Sequence, residues 1–150
     1  MPHQLSIFAE NKPGKIEKVT SILAKNNINI RAITISDSGD YGIIKLLVDK
    51  PIEACEVLKQ NDVAVTLKDI VAVKVNDVPG GLNSVASVLL KNNINVEGAY
   101  GFILKESANA AFVFQVDNIK KTENILLEAG FNIIDDSDLY FLWDEIYLWK

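Results

Sequence analysis

The sequence predicts an α+β protein made of two copies of one small domain, each with the element order βαββαβ. Two observations predict this. Residues 25–30 (KNNINI) return as residues 91–96 (KNNINV), and the same shift, 91 − 25 = 66 residues, carries Pro13-Gly14 onto Pro79-Gly80. Strand-like and helix-like hydrophobic periods also follow the same order in both halves. Two copies at so long a period indicate tandem domains, because a solenoid needs at least three stacked repeats.

The elements of the first copy are predicted from its residue pattern. An alternating run predicts a strand, and a Pro-Gly turn then precedes an apolar stripe of helical period. A β-branched run with a hairpin loop follows, and Pro51 suits the first turn of a second helix. The predicted elements are a strand at 5–9, a helix from 14 to the paired asparagines 26–27, strands at 28–36 and 41–49, a helix at 51–60 and a strand at 63–67.

The second copy repeats this plan with a longer hairpin loop. Asp49 aligns with Asp117 at a shift of 68, so two residues are inserted. Its predicted elements are a strand at 70–75, a helix ending near 90, strands at 94–104 and 110–116, a helix at about 119–129 and a strand from 131. We predict domains at 1–69 and 70–135, with an aromatic-rich C-terminal extension at 136–150. A split βαβ pair predicts a ferredoxin-like domain, an antiparallel four-stranded sheet with two helices on one face.

Charge and hydropathy argue against nucleic acid and membranes as partners. The net charge is −5, and residues 70–150 carry 6 basic against 11 acidic residues. An acidic surface repels phosphate backbones. The RNA-recognition motif shares the βαββαβ order, but it needs a basic surface and aromatic platforms on its central strands. No apolar run approaches the roughly 20 residues that span a bilayer, and no signal peptide is recognisable, so we expect a cytoplasmic protein.

Catalytic and metal-binding groups are scarce. His3, Cys55 and Arg31 are each the single residue of their type, so no catalytic triad, metal cluster or redox pair can be assembled, and we expect no cofactor. Cys55 lies among apolar residues and is interpreted as a small core residue. Arg31 is open to two interpretations, surface solvation or contact with a ligand carboxylate. We therefore expect a protein that is not an enzyme.

The doubled motif resembles that of a known family. The pattern Glu10-Asn11-Lys12-Pro13-Gly14, followed by a helix and then Asn29-Ile30, is similar to the ACT-domain family of small-molecule-sensing regulatory modules. The resemblance implies an amino-acid site at the strand-to-helix turn and the start of the second strand. The residues it implies in the first copy are Asn11, Pro13, Gly14, Asn29 and Ile30. Those in the second copy are Asp77, Pro79, Gly80, Asn95 and Val96, with Asp77 in place of asparagine.

Physical chemistry supports such a site and also offers alternatives. The first N–H groups of a helix favour a carboxylate, and an asparagine amide can pair with a zwitterion without adding net charge. Asn11 and Asp77 could equally cap their helices. Asn29 and Asn95 could be structural residues copied by the duplication. Asn26-Asn27 and Asn92-Asn93 are interpreted as helix-terminating residues, since asparagine adopts the left-handed conformation.

The C-terminal extension has no counterpart in the first copy. Residues 139–149 hold five of the twelve aromatic residues, with spacing that fits an amphipathic helix or an extended strand. We expect this segment to pack on its own sheet or to form part of a dimer interface. The predicted function is a sensor of a free amino acid that acts through its own assembly, as a homodimer, or through a regulated enzyme partner. The alternative is a structural or protein-interaction module without a ligand.

Overall fold

The computed structural model describes residues 1–104 and 108–141, with side chains described as far as Leu139. This part of the chain divides into two compact units. The first module is His3–Lys68. The second module runs from Asp69 onward and also includes Met1 and Pro2. These two residues belong to it because the Ile70 N–H donates to the Pro2 carbonyl at 3.1 Å. Within the described residues, no helix has the length and hydrophobicity needed to cross a bilayer.

The first module has the predicted βαββαβ order. Its four strands form one sheet in the order β2-β3-β1-β4, in which β3 pairs antiparallel with both β1 and β2. The chain thus reaches its central strands from both edges, as the split βαβ arrangement requires. The elements are β1 His3–Glu10, α1 Lys15–Lys25, β2 Ile30–Ser38, β3 Tyr41–Val48, α2 Pro51–Gln60 and β4 Ala64–Asp69.

The second module repeats the topology, with the sheet order β6-β7-β5-β8. Antiparallel pairing joins β5 to β7 and β8, and β6 to β7. One further helix, α5, follows the last strand. The elements are β5 Val71–Asn76, α3 Gly81–Lys91, β6 Gly98–Ile103, β7 Asn109–Gln115, α4 Ile119–Glu128, β8 Asn132–Ile134 and α5 Asp136–Phe141. The two antiparallel sheets, each with two helices, confirm the predicted fold class.

Each module has its own apolar core between the sheet and the helices. In the first module Leu5 and Ile7 of β1 pack with Leu23 of α1 and Leu58 of α2, all with no exposed surface. Strand alternation puts these residues on one face, and the helical stripe covers them. Cys55 is 5 % exposed in the same core, as its apolar neighbours predicted.

Both first helices end in the same way, and the asparagines account for it. Asn27 and Asn93 adopt left-handed backbone angles, with φ of 56° and 55°. The Ile28 N–H donates to the Leu23 carbonyl at 3.0 Å, and the Ile94 N–H donates to that of Leu89 at 2.9 Å. These are the bonds of a Schellman motif. The asparagine pairs therefore terminate the helices, as predicted.

Several boundaries differ from the prediction. Strand β2 begins at Ile30 and continues through Asp37 and Ser38, which were predicted to lie in the hairpin loop. Strand β6 begins at Gly98 and not at residue 94, because its ladder of pairs with β7 starts only at Gly98 and Gln115. Asn95 therefore lies in a loop before the strand. The longer hairpin loop lies partly outside the described residues.

The C-terminal extension begins as the short helix α5. The predicted amphipathic helix is described only for its first residues, and Leu139 is fully buried there. This burial agrees with packing of that residue on the protein itself. The remaining aromatic positions, residues 142–149, lie outside the described residues.

Candidate functional site

The Pro-Gly turns give both first helices an N-terminus with no side-chain cap. Gly14 and Gly80 are the N-cap residues, and their φ of 92° and 85° places them in the left-handed region that glycine adopts without strain. Proline followed by such a glycine matches a type II turn, which the Gly81 N–H closes by donating to the Val78 carbonyl at 3.0 Å. Because glycine offers no side-chain acceptor, the first N–H groups of each helix receive no side-chain cap.

Asn11 ties the turn to the neighbouring hairpin and does not cap α1. Its Nδ2 donates to the Gly39 carbonyl at 3.0 Å, and its Oδ1 accepts from Lys15 Nζ at 2.9 Å. Its backbone N–H donates to the Asp40 carbonyl at 2.7 Å, and the Asp77 N–H makes the same bond to Ala108. The carboxylate of Asp77 has no donor for a second such tie. The capping alternative for Asn11 and Asp77 is therefore wrong.

A cleft lies beside each turn, at the same place in both modules. The first turn cleft is bounded by Phe8, Glu10, Lys12, Lys15, Lys18 and Asp62 and measures about 260 Å³. The second turn cleft is bounded by Lys74, Asn76, Gly80, Gly81, Ser84 and Gly130 and measures about 700 Å³. The shift of 66 residues relates Phe8 to Lys74 and Lys18 to Ser84. The duplication therefore preserved the cleft and changed its lining.

Asn29 lies in a different cleft, at the start of β2. This first strand-start cleft, bounded by Asn27, Asn29, Asp49 and Lys50, measures about 500 Å³. Its counterpart in the second module, bounded by Asn95, Asp117, Asn118 and Lys121, measures about 200 Å³. Each cleft thus pairs an asparagine with an aspartate.

Two hydrogen bonds hold Asn29 against Asp49. The Asn29 N–H donates to Asp49 Oδ1 at 3.0 Å, and the Asp49 N–H donates to the Asn29 carbonyl at 3.1 Å. Lys50 Nζ donates to the Asn27 carbonyl at 3.1 Å and so braces the same loop. The aspartates were not singled out from the sequence as site residues. Their signal was present, since Asp49 and Asp117 align between the copies.

The structure places the two halves of the predicted site at opposite ends of each module. Glu10 pairs with Tyr41 at the end of the sheet next to the turn, whereas Ile30 pairs with Val48 at the other end. Helix α1, with 11 residues, separates Gly14 from Asn29 by about 16 Å. Pro13 and Gly14 therefore lie together with Asn11, and Asn29 lies apart from them in the same module.

The remaining predicted positions have different surroundings. Ile30 is half-buried and packs against the core of the first module. Its counterpart Val96 is 36 % exposed. Pro79 and Gly80 line the second turn cleft, and Asn95 lines the second strand-start cleft. Ile30 is thus positioned by packing, whereas Asn95 and Gly80 face open space.

Metal chemistry finds no ready ligand set in the part of the chain that the structure describes. No group of three or more His, Cys, Asp or Glu side chains is arranged to hold a metal ion there. His3 is the first residue of β1 and is half-buried, so it does not lie in a loose terminus as its position suggested.

The fold, the doubled turn and the paired clefts define a protein of the regulatory ACT class. The family model described as an ACT domain pair matches residues 1–143, and the chain belongs to this family. The chain is similar to the crystal structure of protein BT0572 from Bacteroides thetaiotaomicron. The two are 37 % identical over 93 % of this chain and 95 % of that one, with a TM-score of 0.86.

More distant structures share the fold. The ligand-free regulatory subunit of aspartate kinase from Thermus thermophilus is 17 % identical, with a TM-score of 0.63 over 85 % of this chain and 92 % of that one. The corresponding subunit from Thermus flavus is 16 % identical, with a TM-score of 0.57 over 86 % and 93 %. No curated protein matches the chain.

Proposed function

We propose that this ACT domain pair is a regulatory protein that binds a free amino acid and transmits the signal through its assembly. The observation that carries the proposal is the pairing, in both copies, of an uncapped Pro-Gly helix start with a strand start that carries asparagine and aspartate. The former suits the carboxylate of an amino acid, and the latter suits its ammonium group.

The turn contributes the carboxylate half of the site. The N–H groups that follow Gly14 and Gly80 point out of the helix and carry the positive end of its dipole. A Cβ atom built on either glycine would meet nothing within 4 Å, so the backbone is open to a ligand from that side. The two turns therefore offer hydrogen-bond donors that a small carboxylate can reach.

The strand start contributes the ammonium half. The Asn29 side chain is exposed, and its amide offers both a donor and an acceptor. The carboxylate of Asp49 lies against the Asn29 backbone, which supplies a negative charge where the ammonium group would bind. Asn95 and Asp117 repeat this combination in the second module.

The distance between the halves implies a site completed by a second molecule. One amino acid cannot bridge the length of α1, about 16 Å, between the turn and the strand start of one module. The turn of one chain and the strand start of a second copy would together enclose the ligand. The protein would then act as a homodimer whose stability depends on the ligand.

A regulated enzyme is the partner that the proposal implies. The two Thermus structures are named as regulatory subunits of aspartate kinase, although their low identity shows the fold alone. By analogy, this chain would bind an enzyme of amino-acid metabolism in the cytoplasm and change its activity when the ligand binds.

A thermal-shift and calorimetric screen of the twenty amino acids on the full-length protein tests the proposal. Ligand that binds the folded protein alone raises its melting temperature. We expect at least one amino acid to do so, and we expect Asn29→Ala and Asn95→Ala to weaken its binding. No response to any of the twenty would contradict the proposal.

Asn26→Ala and Asn92→Ala are the matched controls. Their exposed side chains donate to the carbonyls of Ile22 and Val88 within their own helices, at 2.8 and 2.9 Å. They should leave the affinity unchanged. Equal affinity in all four variants would refute the assignment of Asn29 and Asn95.

An exposed aromatic pair favours a second candidate function, that of a protein-interaction module without a ligand. Phe8 and Tyr41 stack at 5.0 Å between ring centroids and are 56 % and 47 % exposed. Exposed aromatic residues are enriched at protein interfaces. If the amino-acid screen is silent while Phe8→Ser changes the mass measured by light scattering, this second function is the better account.

A further inference from the structure

The two turn clefts occupy equivalent places but differ in charge. Every charged residue that lines the first turn cleft is replaced by an uncharged one in the second. This is unexpected if both clefts bound the same molecule through the same contacts. The exchanges are Glu10 to Asn76, Lys12 to Val78, Lys15 to Gly81, Lys18 to Ser84 and Asp62 to Gly130.

Side chains of the first module already occupy the space beside its turn. Lys12 Nζ forms an ion pair with Glu10 at 3.1 Å. Lys15, the first residue of α1, extends to Asn11 and donates to its Oδ1 at 2.9 Å. These contacts use the charged groups within the protein. The volume left is about 260 Å³.

The second module leaves the same space open. Gly81 stands where Lys15 stands in the first module, and a Cβ atom on it would clash with the Asn76 carbonyl oxygen. Close backbone packing thus excludes any side chain at this position. The cleft of about 700 Å³ that results is lined by the amides of Asn76, Asn83, Asn109 and Asn132.

We propose that the second turn cleft, and not the first, takes the ligand, and that the ligand is an amino acid with an uncharged polar side chain. Amides supply donors and acceptors without charge, so they pair with hydroxyl or amide groups. Lys74 is the only charged residue that lines this cleft, and it balances a single carboxylate. A second charge on the ligand would be partly desolvated without a counterion.

The Asp77 exchange does not oppose this assignment. Asn11 and Asp77 do not line their turn clefts, and the Asn11 amide bonds to the hairpin and to Lys15. The exchange thus alters how the turn is tied to its hairpin. The lining of the second cleft is set by the glycines and amides.

The internal duplication supplies the variants for a test, which rests on the proposed function. Ser84→Lys and Val78→Lys import the lysines of the first module into the second turn cleft, at exposed positions. Lys18→Ser and Lys12→Val are the reciprocal controls. Calorimetry would use the full-length protein with L-serine, L-threonine, L-asparagine and L-glutamine, and with L-aspartate, L-lysine and L-leucine as the contrasting set.

We expect one of the four uncharged polar amino acids to bind most tightly. Ser84→Lys and Val78→Lys should each weaken it at least tenfold, while Lys18→Ser and Lys12→Val stay within twofold of the original affinity. Melting curves without ligand would show that each variant is folded, and two independent positions guard against the loss of one.

The outcomes separate this inference from the proposed function. Binding that is lost in Lys18→Ser and kept in Ser84→Lys would overturn the inference alone, as would equal affinity in all four variants or tightest binding of L-aspartate, L-lysine or L-leucine. Silence from all twenty amino acids would overturn both.

Discussion

Asn29 and Asp49 are joined by two hydrogen bonds that close the loop between α1 and β2 onto the end of β3. One runs from the Asn29 N–H to the Asp49 carboxylate at 3.0 Å, the other from the Asp49 N–H to the Asn29 carbonyl at 3.1 Å. Only the first depends on a side chain. The same carboxylate therefore both holds the loop and faces the candidate ligand, and substitutions can separate these roles.

Asp49→Ala should lower the free energy of unfolding by about 1 kcal/mol, because the Asn29 N–H loses its acceptor. Asp49→Asn keeps an oxygen acceptor and should cost less than half of that, yet it should weaken amino-acid binding by removing the charge. Urea denaturation and calorimetry measure the two effects. Equal losses of stability in the two variants would contradict the hydrogen-bond explanation.

Asn27 and Asn93 should tolerate glycine and reject alanine. Both lie in the left-handed region, with φ near 55°, where an ordinary side chain costs about 1 kcal/mol. Asn27→Ala and Asn93→Ala should each lower the free energy of unfolding by roughly that amount, whereas glycine at either position should leave it within about 0.5 kcal/mol. Urea denaturation measures this. Lys91→Ala, within helix α3, serves as a control that should change little.

Gly101 should be intolerant of any side chain. A Cβ atom there would lie 2.6 Å from Cε1 of the Phe112 ring on the paired strand. Gly101→Ala should cost about 2 kcal/mol through overpacking. Because the two residues are in direct contact, Phe112→Leu in the same chain should relieve about 1 kcal/mol of that cost. A strictly additive double variant in chemical denaturation would show that the ring is not the obstacle.

Helix α5 should weaken at low pH through Asp135. The Asp138 N–H and then the Ser137 hydroxyl donate to its carboxylate, at 2.8 and 2.9 Å, and hold its pKa below the ordinary value. A pKa lowered by folding contributes stability above the unfolded-state pKa, and this is lost as the pH falls through the folded-state pKa. A carboxyl titration followed by NMR should show the lowered pKa. Ser137→Ala should raise it; an unchanged value would contradict the assignment.

Local patterns were sufficient to predict the repeat, the element order and the helix ends. The Pro13-Gly14 turn, the apolar stripe of α1 and the left-handed Asn27 each depend on residues close in sequence, and the structure shows them as expected. The boundary of β6 was predicted less well. Where a strand begins depends on when its partner comes within hydrogen-bonding distance, which its own residues do not specify.

The sequence by itself determined the family, the doubled fold and which positions carry the motif, because these follow from periodicity and from the identity of the two copies. Only the tertiary structure decided what those positions contact. It separated Gly14 from Asn29 by the length of α1, brought Asp49 against Asn29, and turned the Asn11 amide toward the hairpin. Such contacts join residues distant along the chain, and their geometry exists only once the sheet and helices have packed.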